Sequence, residues 1–364
     1  MKKKIVFIFL VLVLFLLSFE GVLRLMYSQF GPPTQWSNEQ EFELDSRLIY
    51  KGIPNKEYTI KTGEYNEHVI TNSEGYRTRE FIPKQKNTYR IIVIGDSFTF
   101  GHGIRSNDMT YPALIEKQLV SKFPNLTIEV LNLAVKGYSP DQEYRLILER
   151  VFQLEPNMIV WALNNPGDLF NLTYMTGWQS PSLYNYANGK LKDLDGRMNW
   201  MYIARWIKNN TPPLIHSSYL FNFSVYWISQ IPIMSNKPSD KYEVLIPWAI
   251  NKVSFQVNEV QKKCKKNDIQ FVLAILPYPD IFITQEGRNK NKISTSHISA
   301  FNTAIEKVQS NKISVIDIHS MMANDTSVTW KSLYHIKDYH PNDKGSTVFA
   351  TYIADRISSL IPLH

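Results

Sequence analysis

The sequence predicts an α/β fold, a three-layer doubly wound parallel sheet of the flavodoxin-like kind, with an aromatic-rich cap insertion and an N-terminal extension. Three observations carry this. From Tyr89 onward, short apolar runs alternate with longer segments whose apolar residues recur at helical spacing. The first of these runs, Ile91-Ile-Val-Ile94, is continuously apolar and ends on Gly95, the pattern of a strand buried on both faces of a parallel sheet. The composition, 44% hydrophobic and 20% charged over 364 residues, suffices for a full core.

The chain opens on Met1-Lys-Lys-Lys4, and everything from Ile5 to Leu17 is apolar. This is a basic segment followed by a hydrophobic one, an export signal. No small-x-small cleavage site follows, and the apolar character continues past Glu20 and Arg24 to Met26, about the length a bilayer-spanning helix needs. Residues 1–27 are therefore expected to be an uncleaved single-pass anchor in the cell membrane. Its lysines face the cytoplasm and the body of the protein lies outside it.

Residues 28–88 read as a linker and a small β-containing extension, with alternating runs at 58–62 and 68–71 and turn-rich stretches between them. No chemistry is assigned to this part, and His68 is expected on the surface. The main domain, 89–364, starts with the strand ending at Ile94. A helix over 111–122 follows, with Tyr111, Leu114, Ile115 and Leu119 on one face and Pro112 in its first turn. Then come a strand over 128–134, a helix from Ser139-Pro140 to about 154, and a strand over 158–163. After the interruption the pattern resumes with a helix at 249–266, a strand at 271–276, a helix at 299–309, a strand at 313–318 and a last helix at 343–360. The interruption, about 170–247, is crowded with tryptophan, tyrosine and phenylalanine and holds Asn188-Gly189, a hairpin turn signal. It is expected to form a cap whose rings fill a small core, some of them lining a substrate groove.

Charge and cysteine content exclude several classes. Net charge is +7, and setting aside Lys2, Lys3, Lys4, Arg24 and Glu20 leaves about +4, too mild and unclustered for a nucleic-acid partner. Cys264 is the single cysteine, so there is no intramolecular disulfide, thiolate metal cluster or Cys-x-x-Cys motif. Its expected place is as a small residue on a helix.

The chemistry centres on Gly95-Asp96-Ser97. Ligands of open α/β sheets bind beyond the carboxyl ends of the strands, which is where Ser97 stands. A serine hydroxyl becomes a nucleophile only with a base, an orienting group for that base and donors for the oxyanion. His340, in Asp338-Tyr-His-Pro341 after the fifth strand and before the last helix, falls on the same sheet edge and is the base candidate. Asp338 is placed to orient its ring.

These blocks together resemble the SGNH/GDSL hydrolase family. The resemblance rests on Gly95-Asp96-Ser97 after a strand, Gly137 after the second strand, asparagine after the third and Asp-x-His-Pro before the last helix. Asn72-Ser-Glu-Gly-Tyr-Arg77 and the apolar N-terminus also resemble membrane-anchored bacterial members. The resemblance implies that Ser97 is the nucleophile, His340 the base and Asp338 its partner. It further implies an oxyanion hole from the N–H of Ser97, the N–H of Gly137 and the amide of Asn165, with Asn164 the alternative. Two blocks depart from the family. The third reads Asn164-Asn-Pro-Gly-Asp168 where Gly-x-Asn-Asp is usual, and the acid sits two residues before the histidine where three is usual, that position holding Lys337.

The implied activity is that of a serine esterase. Its substrate would be an acyl ester, O-acetyl included, of an extracytoplasmic carbohydrate or lipid, with no cofactor and no metal. Transfer of the acyl group to an envelope polysaccharide, or glycan binding on a catalytically silent scaffold, are the alternatives. Within the site, His102 is a rival base, although side chains flanking a turn more often point away from it. His335, Asp338 and His340 form the one imaginable metal set, unsupported by a His-Glu-x-x-His motif or a second cluster. The Gly-x-Ser-x-Gly elbow of an α/β-hydrolase is not present around Ser97.

Overall fold

The computed structural model describes residues 2–26, 41–45, 48–165, 168, 218–221, 224, 246–277, 295–309, 313–323 and 329–362. The predicted cap at 170–247, with Asn188-Gly189, lies almost wholly outside them, as does most of the linker.

A five-stranded parallel sheet organises the main body. Its strands are β5 (Thr88–Ile94), β6 (Thr127–Asn132), β7 (Met158–Asn165), β8 (Gln270–Pro277) and β9 (Ser314–Asp317), in the spatial order β6-β5-β7-β8-β9. The winding runs from β5 out to β6 and then reverses to β7, so the topological switch point lies between β5 and β7, at the carboxyl end of β5. Every residue of β5 is buried.

Side chains alternate between two cores. Ile92, Ile94, Ile159, Trp161, Leu163, Leu273 and Ile275 face helices α4 (Pro140–Glu149), α5 (Ile246–Lys266) and α6 (Thr295–Gln309). Ile91, Val93, Val160, Ala162, Val272 and Ala274 face α3 (Tyr111–Lys122), α7 (Ile318–Ala323) and α9 (Asp343–Ser358). Three layers follow from this period of two in the strands. Cys264 is buried on α5, as a small residue on a helix should be.

Several boundaries differ from those expected. The segment expected as one helix from 139 to 154 is α4 followed by a 3-10 turn at Val151–Leu154, closed by Glu155 at φ 53°. The helix α6 starts four residues early, at Thr295, and β9 stops at Asp317 because Ile318 opens α7.

The N-terminal helix α1 (Lys2–Met26) contains one stretch, Val6–Met26, long and apolar enough to cross a membrane, with 6% of it buried. Two antiparallel hairpins make up the described extension: β1 (Phe42–Asp45) with β2 (Ile49–Gly52), and β3 (Glu57–Lys61) with β4 (Asn66–Ile70). In β3 and β4 the alternation buries Tyr58, Ile60, Glu67 and Val69. The buried glutamate is the anomaly in an otherwise apolar face.

Candidate active site

Strand β5 delivers Ser97 at the mouth of the sheet. A Cβ on Gly95 would lie 2.2 Å from Thr99 Oγ1 and 2.9 Å from the Ala162 carbonyl oxygen. Close packing therefore demands this glycine, whose backbone is not left-handed. Asp96 is buried and caps the short helix α2 (Ser97–Phe100), its carboxylate accepting the Phe98 N–H at 2.9 Å and the Asn164 amide at 2.5 Å. Burial pushes the Asp96 carboxyl up to about 6. The motif's aspartate thus shapes the turn that presents the serine.

His340 reaches this hydroxyl from the other end of the chain. Its Nε2 lies 2.8 Å from Ser97 Oγ, and its Nδ1 lies 2.5 Å from Asp338 Oδ1. The loop bearing both residues runs from α8 (Trp330–Leu333) to α9 and is closed on itself. His335 donates its N–H to the His340 carbonyl, and Tyr339 donates its N–H to the His335 carbonyl, each at 2.9 Å. The Tyr334 hydroxyl ties the loop to the end of β8 through the Pro277 carbonyl at 2.6 Å. Asn342 caps α9 by accepting the N–H groups of Lys344 and Gly345.

Burial and the neighbouring His102 ring lower the His340 pKa below the ordinary histidine value, with Asp338 opposing them. Asp338 is held well below the carboxylate range: burial works against its charge, but the two imidazoles beside it prevail. A neutral imidazole facing a hydroxyl, backed by an ionised carboxylate, can accept that hydroxyl's proton.

Gly137, at φ 75°, lies just past β6, where the Val135 N–H meets the Gly95 carbonyl at 3.3 Å. Among the described residues, the N–H groups of Ser97 and Gly137 donate to no protein acceptor. The two predicted asparagines differ. Asn164 is buried with its amide on Asp96 and its N–H on Asp168 Oδ2, so it supports the turn that carries Ser97 from beneath. The side chain of Asn165, at the last position of β7, lies outside the described residues.

No protein-family model matches the sequence, and no curated protein matches it. Solved structures do. A GDSL-like lipase from Bacteroides thetaiotaomicron is 12% identical, with 77% of this chain and 92% of that one covered and a TM-score of 0.42. A catalytic mutant of Axe2, an acetylxylan esterase from Geobacillus stearothermophilus, is 12% identical over 76% and 96% of the two chains, TM-score 0.41. The psychrotrophic esterase EstA from Pseudoalteromonas sp. is 11% identical over 75% and 98%, TM-score 0.40.

Four residues surround Asp338 or stand behind it: His102, named above only as a rival base, and Tyr65, Glu67 and Arg77, for which no role was expected. His102 does not serve Ser97: its Nε2 lies 2.9 Å from Tyr65 Oη and 3.6 Å from Asp338 Oδ2. The ring does approach the site, its centroid 4.5 Å from that of His340, but as a neighbour of Asp338. Tyr65 donates its hydroxyl to Asp338 Oδ2 at 3.2 Å. Glu67, fully buried, meets Lys136 at 3.0 Å and Arg77 at 3.2 Å, and these cations with His102 hold it below the carboxylate range against its burial. Arg77 is itself buried and donates to the carbonyls of Gly101, His68 and Ile104 and to Asn107 Oδ1. The extension, expected to carry no chemistry, supplies three of these four residues. Arg77 was visible only as the end of Asn72-Ser-Glu-Gly-Tyr-Arg77, and nothing in its sequence announced burial.

His335 is not beside Asp338 in a metal-binding arrangement; its Nε2 lies 3.2 Å from the Gly103 carbonyl oxygen. Among the described residues, the side chains close enough to share a cation are instead His102, Asp338 and His340, with ligand atoms within 4.8 Å of one another. His340 offers both nitrogens to Ser97 and Asp338 already.

Proposed function

We propose that this chain is a serine esterase of the SGNH/GDSL type acting on acyl esters outside the cytoplasm, with Ser97 as nucleophile, His340 as general base and Asp338 as its orienting acid. One observation carries the reading: a hydroxyl, an imidazole and a carboxylate in hydrogen-bonded series, the first pair 243 residues apart in sequence. His340 takes the Ser97 proton as Oγ attacks the ester carbonyl. The carbonyl oxygen becomes an oxyanion received by the N–H groups of Ser97 and Gly137, with the Asn165 amide as third donor. His340 then protonates the leaving alkoxide, and water, activated by the same imidazole, releases the acid and restores Ser97.

The substrate class is an acyl ester, O-acetyl included, of a carbohydrate or lipid. Localisation follows from α1, which we read as a retained single-pass anchor. Supporting retention, Glu20 on α1 accepts the N–H groups of Tyr219 and Leu220 and the hydroxyl of Ser218, and pairs with Arg24 at 2.8 Å. Cleavage would remove those acceptors.

The test is hydrolysis of p-nitrophenyl acetate by the full-length chain in detergent. Ser97→Ala is expected to lose about a thousandfold or more in rate. A fluorophosphonate should modify Ser97 and no other residue. A Ser97→Ala rate equal to that of the parent overturns the reading, and turnover only with a polysaccharide acceptor present converts it to acyl transfer.

A further inference from the structure

Asp338 has two carboxylate oxygens, and the relay to Ser97 uses one. Oδ1 faces His340 Nδ1 at 2.5 Å, while Oδ2 accepts the Tyr65 hydroxyl at 3.2 Å. Tyr65 Oη also lies 2.9 Å from His102 Nε2. With the phenol proton committed to Asp338, the imidazole has to be the donor to Oη. The other nitrogen of that ring, Nδ1, sits 3.2 Å from Glu67 Oε2, a charge contact lacking the alignment of a hydrogen bond. Acceptors on both sides are the surroundings of an imidazolium. The ring stands edge-on to His340, centroids 4.5 Å apart.

We propose that Tyr65 and His102 are positioning residues for the Ser97–His340–Asp338 relay, His102 acting as a cation that donates to Tyr65, which in turn donates to Asp338. The proposal rests on the esterase reading and goes beyond it by assigning what holds the acid. Asp338 stands one residue closer to the histidine than the usual spacing, and Tyr65, from the β3–β4 hairpin, grips its free oxygen.

The charge on His102 also disfavours a second charge on the adjacent His340, keeping the base neutral to lower pH. The charged and titratable groups around the two rings are Asp338 on the loop, Glu64, Tyr65 and Glu67 on the hairpin, and Lys136 after β6 paired with Glu41, with Arg77 behind Glu67. Burial and Lys136 oppose charging of both rings. At His102, Glu67 and Asp338 outweigh them and its pKa rises; at His340, burial and His102 outweigh Asp338 and its pKa falls.

The test uses the full-length chain with His102→Gln, which keeps an amide donor but no charge, and Tyr65→Phe. The acid limb of kcat/KM for p-nitrophenyl acetate should move up by about one pH unit in His102→Gln. Tyr65→Phe should lower kcat about tenfold with KM unchanged, as expected when an interaction is felt only in the transition state. A second arm needs no turnover. The chain has eight histidines, and ¹⁵N-histidine NMR of Ser97→Ala, with and without His102→Gln, follows the His340 ring directly, assigned through His340→Gln. Its midpoint should rise when His102 is replaced. A His340 midpoint unmoved in both Ser97→Ala/His102→Gln and Ser97→Ala/Tyr65→Phe overturns the proposal, whether or not the ester is hydrolysed. A Ser97→Ala enzyme as fast as the parent would instead overturn the esterase reading and leave this arm to decide.

Discussion

Asp338 turns back onto His340 through a single intervening residue, Tyr339, whose φ of 66° lies in the left-handed region. An extended residue there would leave the two side chains on one face but about 7 Å apart along the backbone, and the left-handed bend brings them within hydrogen-bonding reach. Left-handed backbone costs a non-glycine residue about 1–2 kcal/mol, and a β-branched one more. Tyr339→Gly should therefore leave the parent's thermal midpoint and ester turnover nearly intact. Tyr339→Val should lower turnover at least about tenfold, because the loop must either strain or release Asp338. Comparing kcat/KM of the two variants checks this.

Replacing Asp338 by asparagine keeps the shape and removes the charge that orients His340. The expected loss is about a hundredfold to ten-thousandfold in kcat, as for other orienting acids. Circular dichroism should show the parent's secondary structure, while the thermal midpoint at neutral pH should fall, because a carboxylate held below its ordinary range stabilises the fold. A drop smaller than tenfold would separate the acid from the chemistry.

Because burial and His102 depress the His340 pKa, the sign of the pH profile follows. The base works when neutral, so kcat/KM rises as pH climbs through that pKa and levels off above it. The midpoint of the rise should lie below 6.5, the unperturbed histidine value. A rate profile from pH 4 to 8 at constant ionic strength reads it.

Arg77 is buried with a buried glutamate beside it. Arg77→Ala would strip Glu67 of one cation and leave the Gly101 and Ile104 carbonyls without its donors, at about 3–5 kcal/mol. Arg77→Lys should recover little, since one ammonium cannot span acceptors on β4 and on the 101–107 loop. Urea unfolding of both variants, with turnover measured in parallel, tests whether the extension braces the loop that carries Ser97.

A third carboxyl lies deep beneath the site. Glu143 accepts the Trp161 indole N–H at 2.7 Å, and burial and the Asp96 charge raise its pKa well above the usual value. An acid with a raised folded pKa loses stability as pH climbs from its unfolded value towards the folded one. Glu143→Gln lacks that loss, so its stability relative to the parent should increase between about pH 4.5 and pH 8. Denaturant melts at both ends of that range give the sign.

The sequence by itself determined what local pattern encodes. The continuous apolar run before Gly95, the helical spacing from Tyr111 to Leu119 and the strand-helix alternation predicted the sheet, and chain order placed Ser97 and His340 at one edge of it. Asp338 was legible by proximity to His340. Tertiary structure alone decided what touches the second oxygen of Asp338. Tyr65, Glu67 and Arg77 read as ordinary extension residues because their neighbours come from docking a hairpin onto the loop after β5, and that register is written in no local periodicity. His102 was legible as a neighbour of the Ser97 turn, but its partners Glu67 and Asp338 come from across the fold. Long-range polar contacts of this kind depend on three segments arriving together, and a one-dimensional pattern records only the segments.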